Sequence, residues 1–290
     1  MRMRLLISSA IGISSGFYCW FMLAHFHLGA ADFHWAIALA QSLLEHKNPY
    51  SVPWQLYPLP AALFGLPFVA IRPEIAGGVF YGISSALLAF CITRYGYQRL
   101  IIFLAYPFWA GILVAQWTPL IMASAFIPYL WPSILVKPQL GLPIAVAYRN
   151  RRGILICILV GLVSLIIMPH WPAYWIRTFG SYRHFFPLLI LPGPLLLLAF
   201  IRYRDRDAIF LMLAAVMPQR WFYDAFILWL IPKTKREIAY TVFLSWGMGI
   251  LRWYTMNYTL TQIGRWMVIF AYLPMLAVVL MRTPKSCSEP

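Results

Sequence analysis

Residues 29–60 read GAADFHWAIALAQSLLEHKNPYSVPWQLYPLP. An apolar run from Leu5 to about Leu23 precedes them, and apolar sequence resumes after Pro60. One acid, Asp32, stands just past the first run. A helical pattern follows it, and Asn48-Pro49-Tyr50 stops that pattern. With His25 and His27 just ahead, the stretch gathers four of the six histidines. It reads as a polar segment between two membrane crossings, with a carboxylate at the mouth of a pocket. Within it Phe33, Ile37, Ala40 and Leu44 share one helical face, and His34, Gln41 and Glu45 lie on another. The expectation is an outer loop over 25–56 carrying an amphipathic helix on the membrane surface. Asp32 has two readings here: a cap on the free N–H groups of that helix, or a carboxylate that does chemistry.

Composition sets the class. Of 290 residues, 62% are hydrophobic and only 11% are charged; the mean hydropathy is +0.74. A soluble surface needs far more charge. The expectation is an all-α, polytopic integral membrane protein, one transmembrane domain over 1–290. The net charge of +15 would suggest nucleic acid in a soluble chain. Here the basic residues sit in short loops between apolar runs, as the positive-inside rule requires, and no nucleic-acid partner is expected. The four cysteines are scattered, with neither a CxxC nor a Cys/His spacing, so neither a disulfide framework nor a zinc site is indicated.

Apolar runs near 5–24, 57–71, 75–93, 100–116, 118–136, 138–148, 153–169, 186–201, 207–218, 220–232, 237–253 and 266–281 predict about 10 to 12 crossing or re-entrant helices. Several fall short of the ~20 residues a full span needs. Those near 118–148 and 207–232 are expected to be broken or re-entrant, with their backbone covered by protein or a watery cavity. The first run, behind Arg2 and Arg4, reads better as a retained anchor than as a cleaved signal, with both termini cytoplasmic. This count puts the arginines at 149–152 and 202–206 and the cations at 233–236 and 282–285 on the Arg2 side. It puts all six histidines outside, with Lys137, Arg177, Arg183, Arg220 and Arg252. Arg94 and Arg99 also fall outside, against the rule. Outer cations suit either interfacial snorkelling or an anion.

The eight acids can be taken one by one. Asp205, Asp207, Glu237, Glu74 and Glu289 read as ordinary loop or helix-end charges. Asp32, Glu45 and Asp224 remain outside. Glu45 reads as solvated, and Asp224 as a partner for Arg220 one turn earlier.

Three stretches carry a resemblance. The first is Asp32-Phe33, then Asn48-Pro49-Tyr50 and Tyr57-Pro58-Leu59-Pro60. The second is Gln116-Trp117, then Val136-Lys137-Pro138 and Arg149-Asn150-Arg151-Arg152. The third is Met217-Pro218-Gln219-Arg220-Trp221. Their order and spacing, over roughly 10–235, resemble glycosyltransferase family 87, membrane enzymes of the C-type glycosyltransferase (GT-C) fold that use polyprenyl-phosphate sugars. Three positions depart from its pattern: Leu59 replaces a proline, Ala115 replaces the glycine before the glutamine, and Tyr223 stands where a histidine is expected.

The resemblance implies an inverting transfer from a polyprenyl-phosphate sugar to a lipid or glycan acceptor, in a bacterial inner membrane with the site facing the periplasm. Asp32 would be the catalytic base. Lys137 and Arg220, with Arg177 and Arg183, would meet the donor phosphate; His170 and His184 are weaker candidates. His34, Tyr57, Gln116, Trp221 and Tyr223 would position substrate. Neither a cofactor nor a bound metal is expected. A transporter or flippase, or an inactive scaffold relative, are the rival readings.

Overall fold

The structure is a computed structural model describing residues 1–52 and 55–282. Pro53, Trp54, Lys285, Cys287 and Glu289 lie outside the described residues. The described chain is helical throughout, with one isolated bridge between Phe185 and Gln219 and no strand.

Among the described residues, three helices are long and apolar enough to cross a membrane: Arg2–His25, Pro73–Tyr95 and Leu260–Met281. Arg151–Ile167 and Trp171–Arg177, bent by 94°, make a fourth if taken as one span. The first two pack antiparallel. Gly12 and Gly16 face Gly78 and Gly82, where a Cβ at Gly16 would lie 2.8 Å from the Gly78 carbonyl. The absent side chains let the backbones meet, as in small-residue membrane interfaces. At one end Leu23 lies beside Gly77. At the other, Arg4 donates to Phe90 O (2.5 Å) and Thr93 Oγ1 (3.3 Å).

This pairing corrects the crossing count. The run 57–71 is not a span. Pro58, Pro60 and Pro67 divide it into turns of three or four residues. Ten such residues reach about 15–20 Å, against a hydrocarbon core of ~30 Å. The chain from Phe26 to Arg72 therefore stays at one end of the molecule. Thr93–Leu104 comes to the other end with Arg4, and Arg99 lies close to Tyr148, Asp207 and Arg282. The two arginines that broke the charge rule are thus gathered with the other basic loops.

That opposite end is tied by ions. Asp207 is 1% exposed and meets Lys233 (2.5 Å), Arg282 (2.6 Å) and Arg206 (3.7 Å). Arg282 also binds Glu237 at 2.9 Å and donates to Ile231 O, and Arg202 donates to Leu280 O and Arg282 O. From sequence Asp207 reads as an ordinary loop or helix-end charge; in the structure it is the buried centre of this knot.

From the knot, short helices rise to the polar site. Arg206–Val216 has 11 residues and leads to Gln219 and Arg220; Pro138–Ala147 has 10 and descends from Lys137 to Tyr148. Each spans about 15–17 Å, half of the hydrocarbon thickness. The 3₁₀ run Phe222–Leu230 returns, every residue buried. Protein covers these broken pieces, which is the condition for irregular backbone at membrane depth.

Candidate functional site

Two of the site's polar residues, Asp32 and Gln116, have an aromatic anchor next to them in sequence. Asp32 lies in the turn Ala31–Phe33, and its backbone N–H donates to Val114 O at 3.0 Å. Phe33 is fully buried, stacked on Phe80 at 4.0 Å and close to Trp117 at 5.5 Å. Gln116 precedes Trp117, which touches Phe33, Phe64, Tyr57 and Phe80. Both aromatics enter one cluster. The side chains before them, alternating away from it, meet on its far side.

There Gln116 Nε2 donates to Asp32 Oδ2 at 2.8 Å, and Lys137 Nζ donates to the same oxygen at 2.6 Å. Lys137 Nζ also donates to Gln116 Oε1 at 2.6 Å, and Trp117 N–H donates to that Oε1 at 2.8 Å. The sequence places Lys137 at the break between Pro132–Val136 and Pro138–Ala147, where Pro138 cannot continue a helix and the residue before it leaves the helical region. Its ammonium has three protons, two of them used. It lies 5.6 Å from the Tyr57 ring and 5.5 Å from the Tyr223 ring, within cation–π range.

The bonds from Gln116 and Lys137 both fall on Asp32 Oδ2, and the side chain keeps 16% exposure. Burial works to raise its pKa. The Lys137 charge and the hydrogen bonds from Lys137 and Gln116 together outweigh this and hold the carboxyl below its ordinary range. It is an ionised carboxylate with one oxygen, Oδ1, open toward a cavity.

That cavity has a volume of about 570 Å³, within the ~300–1,000 Å³ typical of small-molecule sites. Of the residues singled out by sequence, Asp32, Tyr57, Lys137, Arg220, Tyr223, Asp224 and His184 line it. The Arg220 guanidinium is exposed to it and makes no protein hydrogen bond or ion pair among the described residues. The pair Phe185–Gln219, joined by backbone bonds of 2.9 and 2.8 Å, brings His184 beside Arg220.

Other placements differ from expectation. Gln116 is fully buried and does not reach the cavity; it holds Asp32 and Lys137 in register rather than substrate. His34 is exposed, Arg177 ends the helix Trp171–Arg177, Arg183 is exposed, and none of the three lines the cavity, nor does His170. Trp221 packs on Tyr258 and under Arg252 instead. Asp224 does not pair with the Arg220 side chain. Its Oδ2 accepts the backbone N–H of Arg220 (2.9 Å) and Trp221 (3.3 Å), starting the 3₁₀ run, while Oδ1 is buried with no hydrogen-bond partner among the described residues. Asp32 caps no helix: the helix His34–Leu44 has no side-chain cap. That helix buries Ala36, Ile37, Leu39 and Ala40 in the protein and leaves Leu44 exposed, so it is packed rather than laid on the surface.

Sequence reasoning missed Trp35, Gln139 and Tyr182 in the cavity wall, which Trp175 also lines. Trp35, one turn past Asp32, was within reach of that reasoning; Gln139 and Tyr182, whose side chains meet at 3.3 Å, carried no signal. Among the described residues no three His, Cys, Asp or Glu side chains converge on a metal position. Comparison of the chain with family models, curated proteins and solved structures gives no match.

Proposed function

We propose that the chain is a GT-C-type membrane glycosyltransferase that moves a sugar from a polyprenyl-phosphate donor to an acceptor hydroxyl. The observation that supports this best is the convergence of the three separate stretches. Asp32 and Tyr57 from the first, Lys137 with Gln116 behind it from the second, and Arg220 from the third meet at one cavity. An ionised carboxylate beside two cations is what an inverting glycosyl transfer from a phosphate-linked donor requires.

Asp32 Oδ1 takes the proton of the acceptor hydroxyl as that oxygen attacks the anomeric carbon. The bond from the anomeric carbon to the phosphate oxygen breaks, and the electron pair leaves with the polyprenyl phosphate. Arg220 and the remaining proton of Lys137 meet that charge. The new glycosidic bond forms on the opposite face. The apolar part of the wall, with Leu142, Ile176 and Met217, suits the first isoprene units. We place the site on the outward side of a bacterial inner membrane, with both termini cytoplasmic, in keeping with the basic residues gathered at the far end.

The test is transfer by the purified protein from a panel of polyprenyl-phosphate sugars, with the anomeric configuration of donor and product compared by NMR. Inverted product is expected. Retained configuration would rule out this single displacement, and no transfer from any donor would sink the class assignment.

A further inference from the structure

Two tryptophans in the cavity have no part in the chemistry above. Trp35 and Trp175 are both half-buried, and both line the cavity that holds Asp32. Each is fixed from behind. The Trp35 carbonyl accepts Gln55 Nε2 at 3.2 Å, and its neighbours Ala36 and Ile37 are buried in the core. Trp175 donates its indole N–H to Leu56 O at 2.8 Å, and its ring lies 5.9 Å from Trp171, itself held by Ser164 Oγ at 3.1 Å. With that N–H engaged in the protein, Trp175 offers the cavity ring surface rather than a donor. Leu56 adjoins Tyr57, whose ring faces the Lys137 ammonium. Trp175 is thus tethered next to the ion pair, and Trp35 stands one turn from its carboxylate.

Rigid aromatic surface is one half of a recognition site; the other is polar groups between the rings. Gln139, Tyr182 and His184 supply them in the same wall. Gln139 Nε2 donates to the Tyr182 hydroxyl at 3.3 Å and a His184 ring nitrogen lies 2.8 Å from Tyr182 O; an isoprenoid chain would leave the rest of their hydrogen-bonding capacity unused, which costs free energy. A ring with apolar C–H faces and a rim of hydroxyls satisfies both sets, the faces on indole and the rim on the polar atoms. We propose that Trp35 and Trp175 form the acceptor subsite and that the acceptor presents a sugar ring to it. This rests on the glycosyltransferase reading and narrows it, from any hydroxyl-bearing lipid to a glycoside.

The experiment uses the full chain in a non-glycosidic detergent with a polyprenyl-phosphate sugar. It measures donor hydrolysis, in which water is the acceptor, and transfer to an octyl hexoside and to octanol. The wild type should use the hexoside at least about tenfold better than the alcohol, a difference of ~1.4 kcal/mol. Trp35→Ala and Trp175→Ala should each raise KM for the hexoside about tenfold, move kcat much less, and lower the ratio of transfer to hydrolysis. The Phe variants, which keep a ring but lose the indole N–H, should recover most of it. Equal use of hexoside and alcohol by the wild type would overturn the proposal even if the alanine variants failed to fold. So would an unchanged acceptor KM in folded alanine variants. Hydrolysis without a hexoside preference would refute the subsite alone, whereas neither hydrolysis nor transfer would take the enzyme reading down with it.

Discussion

Lys137→Met is the most informative single change, because its cost can be worked from the geometry. The Lys137 side chain is 8% exposed and its carboxylate partner 16%. Removing one member of a buried ion pair costs ~3–5 kcal/mol, since the other charge stays in a poor solvent. Asp32 would keep the Gln116 bond and its own opening to the cavity, so the lower end applies, about 3 kcal/mol. Methionine matches the lysine stem in length, which keeps the cavity contribution small. In a chain of this size that lowers a thermal midpoint by about 6–12 °C. Asp32→Asn strands the ammonium instead and should cost about 2–3 kcal/mol by the same reasoning. The double variant holds neither charge, and the amide oxygen that Asp32→Asn introduces can still accept from Gln116. It should be less destabilised than either single variant, a coupling of at least about 2 kcal/mol. The assay is thermal unfolding of the four proteins in one detergent, followed by monodispersity. Additive losses, or a Lys137→Met midpoint within a degree or two of wild type, would refute the buried pair.

The pH dependence follows from the same pair. The folded Asp32 carboxyl lies below its ordinary range, so its stabilisation is complete above about pH 4 and is lost as pH falls through the lowered value; stability of Asp32→Asn should fall less over that acid range. In Lys137→Met burial dominates, so the acid limb of residual transfer should move to higher pH, and an unmoved limb would remove Asp32 as the titrating base. Gly65→Ala would drive a Cβ into the Ala36 carbonyl; pushing the helix that follows Asp32 from its support should cost at least about 2 kcal/mol in a thermal scan. Arg282→Met should destabilise by about 3 kcal/mol through Asp207 yet leave the acceptor KM of surviving protein unchanged, since the knot lies a helix length from the cavity. Ala115 has φ +47, the conformation glycine takes freely, so Ala115→Gly should be neutral within about 1 kcal/mol and Ala115→Val clearly destabilising.

Much of this site is legible in the sequence. Acid-aromatic and glutamine-aromatic pairs state a rule that the structure explains: the aromatic is buried so that the polar neighbour is aimed. Lys137 before Pro138 is a break in a helix, and a cation at a buried break needs a partner. The positive φ at Ala115 also accounts for the glycine expected there. What the sequence hid is long-range or three-dimensional. The residues of 57–71 are apolar enough to cross but too broken by proline, and hydropathy does not count breaks. Asp207 looks solvated among arginines because its burial depends on Arg282, 75 residues away. Gln116 looks like a ligand contact because it is polar in an apolar chain; only packing shows it turned inward to Asp32 and Lys137. Tyr182 and His184 reach the cavity through a two-residue backbone bridge that no periodicity announces.

Asp32→Asn, assayed beside wild type for sugar transfer from polyprenyl-phosphate donors, is the most direct test of the account. The variant should be folded, should still bind the donor, and should lose nearly all transfer. Transfer at wild-type rates by a folded Asp32→Asn would contradict it.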